Sequence, residues 1–146
     1  VSALSTRKKL GAQIALAMQE VIASAVLTNE RIARSIGLNV VDFQTYGVLL
    51  RNREPMTPGQ VSAATELPSS TTTRVLDRLE AKGMVERRPD PVDRRKVEVH
   101  ALPFDDERVM AAYGEILNQM DEVHAGFTAA ELQTVLRYLN AIKNVR

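Results

Sequence analysis

The sequence predicts a mainly α-helical chain with one small β-hairpin, on three observations. Apolar residues recur at helical spacing through most of the 146 residues. Alternation of apolar and polar residues is confined to two short runs, Met84–Arg88 and Lys96–His100. Three Phe, three Tyr and no Trp leave an aliphatic core, which suits packed helices.

Taken in order, residues 5–28 form a predicted long helix striped by Leu10, Ile14, Met18, Val21 and Ile22. Arg7, Lys8 and Lys9 at its start read as a solvated terminus. A short helix over about 29–36 ends at Gly37. Asn39-Val40-Val41-Asp42 caps a helix running to about Asn52, with Phe43, Tyr46, Gly47 and Leu50 inward. Thr57-Pro58-Gly59-Gln60 is a complete helix start: Thr caps, Pro takes the first turn, and Gln reaches back. That helix is short, with Val61 and Ala64 inward. Leu67-Pro68 forces an extended residue, and a helix led by Ser69 follows, with Thr72, Val75, Leu76 and Leu79 as its buried stripe. Lys82 and Gly83 stop it. Pro89 to Arg95 is too long for a two-residue turn, so the hairpin projects a polar tip, with Val97 and Val99 facing in. After Pro103, Asp105, Asp106 and Glu107 favour a helix start, and Val109, Tyr113, Ile116, Met120 and Val123 stripe that helix. Thr128-Ala129-Ala130-Glu131 boxes the last one, striped by Leu132, Val135, Leu136, Leu139 and Ile142.

Two short helices joined by a turn are a helix-turn-helix, and a hairpin with an arginine-rich tip makes it winged. The fold expected is therefore a winged helix-turn-helix core (39–103) flanked by N-terminal (1–38) and C-terminal (104–146) helices. The flanking segments exceed what such a core needs and serve either as a dimer interface or to cover one another. Opposite the buried stripe of the Ser69 helix lie Ser70, Arg74, Asp77 and Ala81, flanked by Thr71, Thr73 and Arg78. Small hydroxyls and an arginine let a helix approach base edges. The other reading is an ordinary Ser/Thr helix start, and the basic hairpin that follows favours the first. Asp77 on this face would repel phosphate, so it is expected to pair with Arg74, Arg78 or a wing arginine.

Net charge is +1 and unevenly spread. Residues 68–96 hold eight basic and five acidic groups, whereas 104–146 hold seven acidic and four basic. The winged end is thus the one suited to a phosphate backbone. No Cys is present, and His100 and His124 lie on different elements, so no metal ligand set is expected. No phosphate loop or nucleophile elbow occurs, so no catalytic residues, cofactor or enzyme activity are expected. No apolar run of 18 residues and no secretory signal stand out, so the expected partners exclude a membrane and the expected location is the cytoplasm.

The stretch Thr73-Arg74-Val75-Leu76-Asp77-Arg78-Leu79-Glu80-Ala81-Lys82-Gly83-Met84-Val85-Glu86-Arg87, with Asp90-Pro91-Val92-Asp93-Arg94-Arg95 and Val97-Glu98-Val99 after it, resembles the recognition helix and wing of the MarR family of bacterial winged-helix regulators. The resemblance covers nearly all of the chain. It implies a homodimer joined through terminal helices on a pseudo-palindromic double-stranded DNA operator. By position, Ser69, Ser70, Thr71, Thr73 and Arg74 would read the major groove, and Arg94 or Arg95 the minor groove, with Asp93 orienting it. It also implies a repressor released by a small aromatic acid, whose pocket would involve Phe43 and Tyr46. Departures are Pro68 at the usual capping serine, which would move the cap to Ser69 or Ser70, Thr72 at an apolar position, and Leu102-Pro103-Phe104 at the wing exit. The lack of Cys excludes a thiol-oxidation switch. Rival readings are a protein-interaction winged helix without DNA function and a constitutive, ligand-independent DNA binder.

Overall fold

The computed structural model describes residues 2–145. In chain order the elements are α1 (Ala3–Ser35), α2 (Val40–Arg51), α3 (Pro58–Thr65), α4 (Ser69–Ala81), β1 (Val85–Pro89), β2 (Val97–Ala101), α5 (Glu107–Ala125) and α6 (Ala129–Ile142). They fall into two compact units, Val1–Asp105 and Asp106–Arg146.

The first unit holds the core. Val75, Leu76 and Leu79 of α4 are fully buried with Val61 of α3, Met84, and Val85 and Val99 of the hairpin. Ile32, Ala33, Ile36 and Leu38, at and beyond the end of α1, complete it with Phe43, Tyr46 and Leu49 of α2. The hairpin is antiparallel, pairing Val85 with Ala101 and Pro89 with Val97. A bridge between Met56 and Val99 stitches the loop before α3 to the same hairpin.

Two chain reversals rest on glycine. At Gly37 (φ 74°) and Gly83 (φ 73°) the backbone is left-handed, which a side chain disfavours. Leu38 donates its N–H to the Ala33 carbonyl and Gly37 to Arg34; Met84 donates to Leu79 and Gly83 to Glu80. This paired closure ends a helix and starts the next segment. It also sets each strand one residue later than the alternation suggests, because Met84 is occupied in closing α4.

Other expectations are corrected. The helices expected over 5–28 and 29–36 are a single 33-residue helix, since no Gly or Pro stands at the expected junction and Arg31 donates to the Thr28 hydroxyl across it at 3.4 Å. The buried face of α2 is rotated: Leu50 is 56% exposed, whereas Leu49, Asp42 and Thr45 are buried. An apolar pattern cannot find a face made partly of polar groups. Ala64 is exposed, and Val97 is 39% exposed because the hairpin has left the core by that point. α1 also carries an 18-residue window of mean hydropathy 1.6, long and apolar enough to cross a membrane. Gln13, Gln19 and Glu20 hide it from a search for uninterrupted apolar runs.

In the second unit, Thr128 and Glu131 form the expected capping box of α6. The apolar stripes of both its helices are largely open to solvent: Met120, Val123, Val135, Leu136 and Leu139 are all exposed. Leu10, Val21 and Ile22 of α1 are exposed likewise.

Candidate nucleic-acid interface

The turn between α3 and α4 is made by Glu66, in the left-handed region (φ 57°), and by Leu67, whose carbonyl accepts the Ser62 hydroxyl. Pro68 then opens α4. Its side chain offers no capping bond, and neither Ser69 nor Ser70 takes over the role. This corrects the expected cap. Pro68 holds the capping position itself, and the serines lie inside the first turn, where their hydroxyls do not cap. The backbone N–H groups of that turn therefore point out of the helix start without a side-chain acceptor.

The exposed face of α4 carries Ser69, Ser70, Thr73 and Arg74, with Thr71 half-buried beside them. Thr72 is turned inward, its hydroxyl donating to the Pro68 carbonyl at 3.1 Å. Thr73 donates to the Ser69 carbonyl at 3.0 Å, leaving its oxygen free to accept. Among the described residues, no hydrogen bond or ion pair engages the Arg74 guanidinium, although Asp77 lies one turn on.

Asp77 is neutralised by the wing. Arg87 of β1 binds Asp77 at 2.7 Å, Glu80 at 2.8 Å and the Thr73 carbonyl at 3.4 Å. One guanidinium thus fastens the hairpin along two turns of α4. Arg78 points to the other side. Its Nε and Nη2 both donate to the carboxylate of Asp42, each at 2.8 Å. Asp42 is 1% exposed, and Arg78 keeps 47% of its side chain in solvent. The hydrogen bond to Asp42 raises the Arg78 pKa beyond its ordinary range.

At the wing tip, Asp90 accepts the N–H groups of Val92 (2.8 Å) and Asp93 (2.9 Å). These bonds hold its carboxyl below the usual carboxylate range. Lys96 donates to the Asp93 carbonyl and Asp90 to that of Lys96, closing the loop. Asp93 Oδ1 accepts both the N–H and Nε of Arg95, at 3.1 and 3.2 Å. The Arg95 guanidinium pairs with Asp93 through Nε and, at 3.5 Å, Nη2, while 92% of the side chain stays in solvent. Arg94 is exposed too, without a partner among the described residues. Of the expected site residues, Ser69, Ser70, Thr71, Thr73 and Arg74 thus share one end of α4, Asp93, Arg94 and Arg95 share the wing tip, and Arg78 sits apart on Asp42.

Sequence reasoning missed the roles of Asp42 and Asp90, whereas Arg87 is the wing arginine expected to pair with Asp77. Only Asp90 left a signal: an Asp ahead of Pro91 and Val92 is a common turn-former through its own side chain. Phe43 and Tyr46 are buried in the core. The Tyr46 hydroxyl donates to the Leu102 carbonyl at 2.6 Å, and burial, then Asp105, pushes its pKa up. A recess of ≈ 280 Å³ opens between α2 and α3, lined by Val41, Gln44, Val48, Ala64 and Leu67 among others, but by neither aromatic. His100 binds Glu98 at 2.9 Å, His124 lies 4.0 Å from Asp121, and among the described residues no three candidate ligands gather around a metal position.

Residues 36–96, from the end of α1 to the wing tip, match the model of the MarR family. The chain is 26% identical over 120 residues to the uncharacterized HTH-type transcriptional regulator YcgE of Bacillus subtilis (strain 168), covering 82% of this chain and 77% of that one. In fold it is similar to the MarR family transcription regulator SP03579, with a TM-score of 0.71 at 19% identity over 97% and 93% of the two chains. It is similar also to a MepR F27L mutant of S. aureus bound to an oligodeoxyribonucleotide, with a TM-score of 0.59 at 15% identity over 88% and 94%. The first two of these relatives are named as transcription regulators. With a helix-turn-helix ending in an unobstructed Arg74 and a wing ending in Arg94 and Arg95, residues 36–96 are similar to the MarR family, and the chain has a winged-helix fold.

Proposed function

We propose that the chain is a cytoplasmic homodimeric repressor that reads a pseudo-palindromic operator in double-stranded DNA. The observation that carries this reading is the exposed start of α4, where Arg74 and a cluster of hydroxyls stand beside a wing tip with two projecting arginines. Ser69, Ser70, Thr71, Thr73 and Arg74 contact the major groove. Arg94 and Arg95, the latter steered by Asp93, reach the minor groove. The oligonucleotide held by the MepR relative supports the mode of use.

The dimer is supported by the apolar surface of α1, α5 and α6, which a second copy covers. The same partner removes the apolar window of α1 from water, so the helix needs no membrane. By this reading 1–38 and 104–146 serve dimerisation and 39–103 serves DNA. A small aromatic acid that fits beside Phe43 and Tyr46 would release DNA by preferring the unbound shape. The sealed setting of both rings favours instead a constitutive regulator, and the ligand titration decides between them.

The test is a band-shift of the protein on the DNA upstream of its own gene, titrated with salt and with a panel of phenolic acids. Salt-sensitive, sequence-selective retention is the expected result. Equal binding to any DNA removes the operator reading, no binding removes the DNA function, and no response across the acids leaves the constitutive regulator.

A further inference from the structure

We propose that Arg78, acting through the buried carboxylate of Asp42, is a positioning residue that sets how α4 is presented to DNA, and that it is not itself a DNA contact. This inference rests on the DNA-reading function proposed above. Three observations carry it. First, the pair is a fork: Nε and Nη2 of Arg78 meet the two oxygens of Asp42 in parallel, each at 2.8 Å. Such a pair fixes an angle as well as a distance. Second, the burial is lopsided. Asp42 is 1% exposed and Arg78 47% exposed, so the carboxylate depends on the arginine far more than the reverse. A phosphate that drew the guanidinium away would strand a desolvated charge. Third, the place of the pair matters. Asp42 is in the first turn of α2, with its own N–H held by Asn39 Oδ1 at 2.9 Å. Arg78 lies one turn after Arg74 on α4. The fork therefore joins the first turn of one helix directly to the last turn of the other, one turn from the residue that would read bases.

With Arg87 holding the opposite flank of α4 through Asp77 and Glu80, the helix is gripped on both sides. Loss of the Asp42 fork leaves it free to roll toward the wing. A roll misplaces Ser70 and Arg74 relative to base edges, and leaves the helix able to meet phosphates non-specifically. Specific affinity then falls, while non-specific affinity and its salt dependence hold.

Arg78→Lys separates the roles. Lysine keeps the charge and can still neutralise Asp42, but it cannot form the fork. The expected result is a fall of about tenfold in the ratio of operator to random-DNA affinity, the scale of one lost base contact, with the slope of log K against log salt unchanged. Asp42→Asn, at a residue sealed from DNA, should lower the same ratio. The double variant should be no worse than the weaker single, because both changes break one device. Operator selectivity for Arg78→Lys equal to that of the parent overturns the proposal, and so does a flatter salt slope of about one unit per half-site for Arg78→Gln with Asp42→Asn unaffected. A purely stabilising pair would lower the melting temperature of both variants and leave the affinity ratio alone, which also overturns it. If Asp42→Asn does not fold, the lysine variant decides alone. Should the parent protein fail to distinguish its operator from random DNA, the failure belongs to the proposed function instead.

Discussion

Single residues on this surface divide by whether their charge is spent. Arg74 and Arg94 have no ionic partner among the described residues, Arg95 pairs only with the exposed wing's own Asp93, and Arg78 and Arg87 are consumed by carboxylates of other elements. Arg74→Ala is expected to cost about 1–3 kcal/mol of operator affinity and relax preference at one symmetric pair of positions, as read by binding to a set of substituted operators. Arg95→Ala is expected to weaken binding to most sequences alike and to flatten the salt slope by about one unit per half-site. Asp93→Ala adds positive charge yet should weaken specific binding, because it releases Arg95; equal tightening on operator and random DNA would make Asp93 a mere repulsive charge. Asp90 adds a pH dependence. Its carboxyl is held below the ordinary range, so its contribution to the loop is complete above the unfolded value and disappears as the pH falls through the folded one. The amide resonances of Val92 and Asp93 should therefore shift on acidification below the usual carboxylate range, and the shift should vanish in Asp90→Asn. The exposed groups were legible in the sequence because exposure follows from helical phase. The Asp42–Arg78 pairing was not, since it joins residues 36 positions apart and no local pattern encodes it.

At the level of elements, capping chemistry was the most faithful guide. Thr57 with Gln60, Thr128 with Glu131 and Asn39 with Asp42 all start helices where their side chains say they should. The face of α2 was misread because Asp42 and Thr45 are buried and bonded, so hydrophobicity pointed to Leu50 instead of Leu49. The wing shows a second limit. Its strands and the pairing of Asp77 with a wing arginine were found, but the further bonds of that arginine, Arg87, to Glu80 and the Thr73 carbonyl were not, since they span 7 and 14 positions. Arg87→Ala is expected to cost about 1 kcal/mol of stability in chemical denaturation, a modest figure for a partly exposed ionic cluster. Its effect on operator binding should be larger, because Asp77 would then face phosphate unneutralised.

For the whole molecule, the apolar surface on α1, α5 and α6 was visible as three stripes, although the sequence cannot say what covers a stripe. Sedimentation at micromolar concentration is expected to show one species of twice the chain mass; a clean monomer would remove the palindromic operator as well. Replacing Val21 and Ile22 by charged residues should give monomers whose DNA affinity falls to that of a single lobe.

The end of α1 carries a consequence of its own. Lys82, directly after α4, donates from Nζ to the Ile36 carbonyl at 2.7 Å, and a Cβ on Gly37 would lie only 2.8 Å from that nitrogen. One lysine thus pins the trailing end of the reading helix to the trailing end of the longest helix. At 33 residues, α1 is a rod about 50 Å long. Tilting such a rod by about 5° sweeps its free tip through about 4 Å, while the pinned end turns by the same small angle and hardly moves. α1 is therefore a lever, and Lys82 the pin at its end. A displacement at the free tip reaches α4 only as a small rotation about that pin.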